Sequence, residues 1–172
     1  SGLSFTHHAA VSSRWLLPET MGSGGALFDA DRDGDLDALL LDSGPPPGAP
    51  KQAGMPRSVM FWNQSTPGSL RFVEAHPPPL GDMDAMGACA GDADGDGDED
   101  VYVTGLPAGR LLRNDRGQLV AWPGNGGIAD PGWGSSCAWL DADGDADLDL
   151  FVVHYVQWSA TTEKACGGER EG

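Results

Sequence analysis

The sequence predicts an all-β repeat domain, and three observations predict it. Glycine (26) and proline (13) are abundant together in 172 residues, which breaks helices and marks turns. No long stretch carries the 3.6-residue apolar period of a helix, whereas residues 36–41, 101–104 and 148–153 are short apolar runs rich in strand formers. Finally, one unit recurs three times along the chain.

The unit is a strand, an Asp-rich loop and a second strand. Its first copy reads SGGALFDADRDGDLDALLL over residues 23–41. The second reads MGACAGDADGDGDEDVYVT over 86–104, and the third SSCAWLDADGDADLDLFVV over 135–153. Small residues form the entering strand, D-x-D-x-D forms the turn, and an apolar run leaves it. Each copy is therefore expected to be a β-hairpin whose turn is the Asp loop, at 29–37, 92–100 and 141–149.

The connectors carry a second hairpin. Val59-Met60-Phe61-Trp62-Asn63 is followed by Leu70-Arg71-Phe72-Val73-Glu74, and Leu111-Leu112-Arg113-Asn114 by Gln118-Leu119-Val120-Ala121. Both pairs read as strands around a polar or Gly-containing turn, which makes the first two repeats four-stranded units. The third copy lacks such a tail. The loop starts, Asp29, Asp92 and Asp141, are 63 and 49 residues apart. The extra length falls in a Pro-rich insertion at 44–56, whose proline run favours extended geometry. Pro77–Pro79 marks a second stiff connector. Residues 1–172 are thus read as a single β-repeat domain, long enough to bury a core at 40% apolar content.

The formal net charge is −16, and 16 of the 26 acidic residues fall in the three loop windows. Acids that only confer solubility would be scattered. Nucleic acid is excluded as a partner, because phosphates would be repelled. A multivalent cation fits. No run is long enough for a membrane span. No signal peptide is recognisable, which suits Ser1 as a mature N-terminus or as the start of a fragment.

Calcium takes six to eight oxygen ligands in a flexible shell. Loop positions 1, 3 and 5 turn carboxylates inward when the chain curls round an ion, position 7 usually offers its carbonyl, and position 9 closes the shell. The candidate ligands are Asp29, Asp31, Asp33, Asp35 and Asp37; Asp92, Asp94, Asp96, Asp98 and Asp100; and Asp141, Asp143, Asp145, Asp147 and Asp149. About three Ca²⁺ ions are expected. Two carboxylates ~5 Å apart repel by roughly 3 kcal/mol at an effective dielectric of about 20, so these loops would open without a cation. Folding and metal binding should be coupled. Gly34 and Gly97 follow position 5, where a left-handed backbone is expected. Ala146 stands at that place in the third loop and makes it the weakest site.

These are not EF-hands. Position 12 should be a bidentate Glu, but it is Leu40, Val103 and Val152, and the flanks read as strands. Magnesium is disfavoured because it prefers fewer protein ligands in a rigid octahedron.

DADRDGDLD, DADGDGDED and DADGDADLD, each running into an apolar strand, resemble the FG-GAP or VCBS repeat of integrin-α-type β-propellers. The opening GLSFTHHAA and the following LPETMGSGGALFDADRDGDLD are similar to the N-terminal region of the cartilage acidic protein-like, ASPIC/UnbV-associated group. The segment 151–166, with HYVQW and a later Cys, resembles the stretch after the third repeat there. The resemblance implies β-propeller-like blades of four strands with Ca²⁺ in the hairpin loops, a secreted or cell-surface protein, and no common catalytic activity. About three repeats make an incomplete propeller, since closure takes roughly four to eight blades. No ASPIC/UnbV-like segment is present.

An open row of blades exposes apolar faces and strand edges. The expectation is a homo-oligomer, as a ring or filament, if the chain is complete, or the remainder of a longer chain. The segment 3–11 is an added or exchanged strand in one reading, and folds back on its own domain in the other.

No Ser/His/Asp or Cys/His set is recognisable by spacing, so a non-enzymatic extracellular calcium-binding module serving structure, adhesion or assembly is the leading reading. A lectin-like module binding a glycan or protein is one alternative, and a secreted enzyme with structural calcium another. His7 and His8 read as one buried and one exposed strand residue, and His76 and His154 as structural. The Trp residues 15, 62, 122, 133, 139 and 158 read mostly as core or inter-blade packing, with a sugar platform as the sharper alternative. Asn63-Gln64-Ser65 is a glycosylation sequon. Cys89, Cys137 and Cys166 form no CxxC pair, so zinc is disfavoured. Cys89 and Cys137 both precede Asp loops but are offset by one residue, which points them to opposite faces if their strands align. Two buried thiols and a bridge both fit.

Overall fold

The computed structural model describes residues 2–9, 16–44, 57–159 and 161. It is all-β, with ten strands in three antiparallel sheets and two short 3-10 turns. β1 (Gly25–Phe28), β2 (Asp37–Leu40), β3 (Val59–Asn63) and β4 (Phe72–Glu74) form the first sheet in that order. β5 (Asp84–Gly91), β6 (Asp100–Leu106), β7 (Arg110–Asp115) and β8 (Gln118–Ala121) form the second. β9 (Gly134–Leu140) and β10 (Asp149–His154) form a two-stranded third. The expected hairpins are all present, and the third repeat has no outer hairpin among the described residues. No helix among them is long and apolar enough to cross a membrane.

Each sheet is one blade, and the entering strands of successive repeats lie side by side. β1 packs on β5, and β5 on β9. Small residues permit this approach. The Gly24 amide donates to the Met86 carbonyl at 2.6 Å, and a Cβ on Gly91 would run into the Trp139 ring. The main core fills the space between blades one and two, with Phe28, Leu39, Met60, Met83, Val101 and Leu112 among its buried members. A second cluster of Met86, Leu106 and Trp133 lies towards blade three. Trp133 there meets Tyr155 and Trp158 ring to ring, at centroid distances of 5.4 and 6.1 Å. That supports the packing role expected for this Trp.

Two readings that the sequence left open are narrowed. Residues 2–9 form no strand, so the added or exchanged strand is not seen in the part of 3–11 that is described. Cys89 and Cys137 form a disulfide, with Cα atoms 5.7 Å apart. The condition of the face argument is not met, because β5 and β9 do not pair in one sheet. Cys89 pairs with Tyr102 on β6 and Cys137 with Val152 on β10, so alternation within a shared sheet does not apply. Cys166, Trp15 and the Pro-rich insertion, apart from Gly44, lie outside the described residues.

Candidate metal centre

The three Asp loops are the same object built three times. The position 1 carboxylate accepts the position 6 amide: Asp29 from Gly34 at 3.1 Å, Asp92 from Gly97 at 2.9 Å, Asp141 from Ala146 at 3.1 Å. Position 3 accepts the position 5 amide, in Asp31–Asp33, Asp94–Asp96 and Asp143–Asp145. Position 5 accepts the position 7 amide, in Asp33–Asp35, Asp96–Asp98 and Asp145–Asp147. These are successive Asx turns, which is why Asp recurs at every second position. Position 9 accepts the position 2 amide at 3.0 Å in all three loops, in Asp37–Ala30, Asp100–Ala93 and Asp149–Ala142.

The curl gathers carboxylates. Oxygens of Asp29, Asp31 and Asp33 lie within 4.8 Å of one another, as do those of Asp92, Asp94 and Asp96, and those of Asp141, Asp143 and Asp149. In the second loop, Asp92 Oδ1 is buried and has no hydrogen-bond partner among the described residues. A buried carboxylate oxygen without a partner is costly unless a positive charge faces it. The donor set, all carboxylate oxygen, fits a hard cation.

The remaining positions have other duties in this structure. Asp35 sits beside the first cluster, and desolvation together with Asp33, Asp31 and Asp29 raises its carboxyl. Asp98 turns its side chain to Arg32 and the Arg116 amide. Asp145 and Asp147 are exposed. Asp37 and Asp100 are buried, and each accepts a further amide on Oδ1, from Asn63 and Asn114 respectively, both at 2.8 Å. Burial pushes Asp37 up to about 6 against the pull of the Asn63 and Ala30 amides, and Asp100 is raised from the same cause.

Backbone conformation follows the expectation at position 6. Gly34, Gly97 and Ala146 all have positive φ, at 93°, 89° and 76°. Position 4 is also left-handed, in Arg32, Gly95 and Gly144 at 64°, 74° and 81°. Sequence reasoning read Asn63 only as a glycosylation sequon and did not single out Asn114. The available signal was that each lies at or next to the end of the third strand of its blade, and the chain has only one other Asn, Asn125. The Asn63 side-chain amide donates to the Leu36 carbonyl at 3.1 Å, and that of Asn114 reaches the Ala30 carbonyl of the preceding blade's loop at 2.8 Å.

Within this frame, residues 29–103 match the family model of the FG-GAP-like repeat. That segment is similar to the FG-GAP-like repeat. The matched segment begins on the first Asp of the first loop and ends in β6, so it spans one complete loop-to-loop period. An FG-GAP-like repeat is a non-catalytic, β-propeller-type unit, in keeping with the blades seen here. No curated protein matches the chain.

At the loop-distal end of blade one, His7 and His8 are both exposed and outside any strand, which corrects the expectation of a buried and an exposed strand pair. Both lean on Asp42, a buried residue just beyond β2. His8 binds it through its amide at 2.7 Å and its Nδ1 at 3.0 Å, and His7 Nε2 lies 4.0 Å away. This carboxylate anchors the N-terminal segment, which forms no strand over residues 2–9. Ser23 donates its hydroxyl to the Ala85 carbonyl at 2.6 Å and its amide to His7 Nε2 at 3.1 Å. The Ser23 hydroxyl is therefore committed to a carbonyl, not poised on a histidine. His154 Nε2 pairs with Asp130 at 2.6 Å, as a structural residue would.

Proposed function

We propose that the chain is an extracellular calcium-binding module with a structural or adhesive role, holding one ion in each Asp loop. One observation carries the reading: the identical amide-to-carboxylate ladder in three loops spends one side of the acids on the backbone and gathers other oxygens together. Asp92 Oδ1, buried and without a hydrogen-bond partner among the described residues, is the most direct expression of it. Asp29, Asp31 and Asp33, then Asp92, Asp94 and Asp96, then Asp141, Asp143 and Asp149 would hold the ions. A bound calcium ion supplies the positive charge that offsets carboxylate repulsion. Position 9 keeps closing each turn through the position 2 amide.

An extracellular setting is supported by the FG-GAP-like repeats, which are typical of extracellular proteins, and by the Cys89–Cys137 disulfide, which persists in oxidising compartments. The opening segment's likeness to the cartilage acidic protein-like group points the same way.

Calorimetric titration and thermal unfolding test this. Calcium should bind with a stoichiometry near three. At a concentration about a hundred times the dissociation constant, each site should add roughly 2.7 kcal/mol of stability. Magnesium should do much less. A melting temperature identical in calcium and EDTA, with no binding heat, rejects the proposal.

A further inference from the structure

Loops one and two are tied to each other, and loops two and three are not. Across the first junction the Asp29 amide donates to Glu99 Oε2 at 3.1 Å, and Arg32 Nε lies 3.1 Å from Asp98 Oδ1. A third link runs between the two position 9 carboxylates. Asp37 Oδ2 accepts the Ala30 amide at 3.0 Å, the Ala30 carbonyl accepts the Asn114 side-chain amide at 2.8 Å, and the Asn114 backbone amide donates to Asp100 Oδ1 at 2.8 Å. Positions 1, 2 and 4 of the first loop thus bear on positions 8, 9 and 7 of the second. At the next junction Gly95 stands in place of Arg32, and Leu148 in place of Glu99. No hydrogen bond or ion pair joins 92–100 to 141–149 among the described residues, and a cavity of about 530 Å³ lined by Gly95 and Leu148 opens there instead. The Cys89–Cys137 disulfide ties blades two and three through their strands, so the gap is confined to the loops.

We infer that loops one and two close as a coupled pair, so that calcium held in either raises the affinity of the other, whereas loop three fills on its own. The inference rests on the calcium reading above. Without a cation, repulsion among the gathered carboxylates favours an open loop. Opening loop one strips partners from Asn114 and Asp98, which are 1% and 6% exposed. Lost partners cost most at buried groups. The open form of one loop is therefore disfavoured while the other is held shut, and linkage makes the effect reciprocal. Arg32, Glu99 and Asn114 are positioning residues in this scheme, since none of them belongs to the candidate ligand set. Loop three lacks a comparable contact through which to sense loop two.

The test is a calcium titration of the whole chain, followed by the backbone amide NMR signals of Gly34, Gly97 and Ala146, one in each loop. Asp94→Asn should weaken calcium binding at loop one about tenfold, and Asp31→Asn should weaken it at loop two by about the same factor. Asp143→Asn should leave both within about twofold of the parent. A further variant, Arg32→Gly with Glu99→Leu, gives the first junction the residues of the second and keeps every loop aspartate. In the parent, loops one and two should fill together with a Hill slope above unity, and in this variant the slope should fall towards unity. That comparison decides the matter even where an Asp→Asn variant does not fold. Unchanged affinity at loop one in Asp94→Asn, or undiminished coupling in the junction variant, overturns the inference. Calcium filling all three loops independently removes this inference alone, whereas no calcium binding at any loop removes the reading above along with it.

Discussion

Arg32 Nε stands 3.1 Å from Asp98 Oδ1, so the fourth residue of the first loop grips the seventh residue of the second. The same junction carries two further ties: the Asp29 amide on Glu99, and the Asn114 side chain on the Ala30 carbonyl. One repeat later the corresponding residues are Gly95, Asp147 and Leu148, and no such clamp exists. A cavity of about 530 Å³ opens there, lined by Asp92, Asp94, Gly95, Ala146, Asp147 and Leu148. Arg32 is half exposed, so solvent screens the pair and its contribution should be modest. Arg32→Ala should lower stability by about 1 kcal/mol in low salt and by less in high salt. Urea unfolding at two ionic strengths checks this, and an equal loss in both would contradict an electrostatic clamp.

Ala146 occupies a left-handed conformation that its counterparts fill with glycine. A Cβ there crowds the neighbouring carbonyl. Ala146→Gly should therefore raise stability by about 1 kcal/mol, and Gly34→Ala should lower it by a similar amount. Both changes fall on open loop tips where a Cβ at Gly34 meets nothing within 4 Å, so the difference reports backbone conformation. Denaturant midpoints of the two variants give the answer.

Asn114 is 1% exposed and makes three bonds: its amide to Asp100, its side-chain nitrogen to Ala30, and its Oδ1 from the Gly117 amide. Asn114→Ala keeps the first and loses the other two, leaving a buried carbonyl and an amide short of partners. The expected loss is about 2–4 kcal/mol. Asn63→Ala, at a less buried site, should cost less. Chemical denaturation of the pair tests the order.

Asp84 is buried, and neither of its carboxylate oxygens has a hydrogen-bond partner among the described residues. Burial pushes its carboxyl up to about 6, against a smaller pull from nearby Ser43 and Gly44. The folded state thus holds a proton that the unfolded state releases near pH 4. Stability should fall as pH rises from about 4 to about 6 and then level off. Asp84→Asn removes the charge. The variant should match the parent near pH 4 and exceed it by about 2–3 kcal/mol at pH 7. A difference that is constant with pH would count against this assignment.

Much of this architecture was legible in the sequence, because the Asp spacing and the apolar run behind it are local signals. The ten strands fall on the residues that alternate or run apolar, and Ala146 stood out simply by breaking a repeated glycine. What was illegible depends on which strands meet. Asn63 and Asn114 look like ordinary strand ends until β3 and β7 are laid against Asp37 and Asp100. The pairing of Cys89 with Cys137 crosses from one blade to the next, so counting faces within a single sheet could not decide it. His7 and His8 gave no periodic hint that Asp42, 34 residues beyond His8, would hold them.

The Cys89–Cys137 bond closes a covalent ring that contains β6, β7 and β8. A single protease cut anywhere between those cysteines would leave both pieces tied together, and their separation on a gel would require a reductant. Damage to the turns of the middle blade can thus be survived without shedding the rest of the molecule.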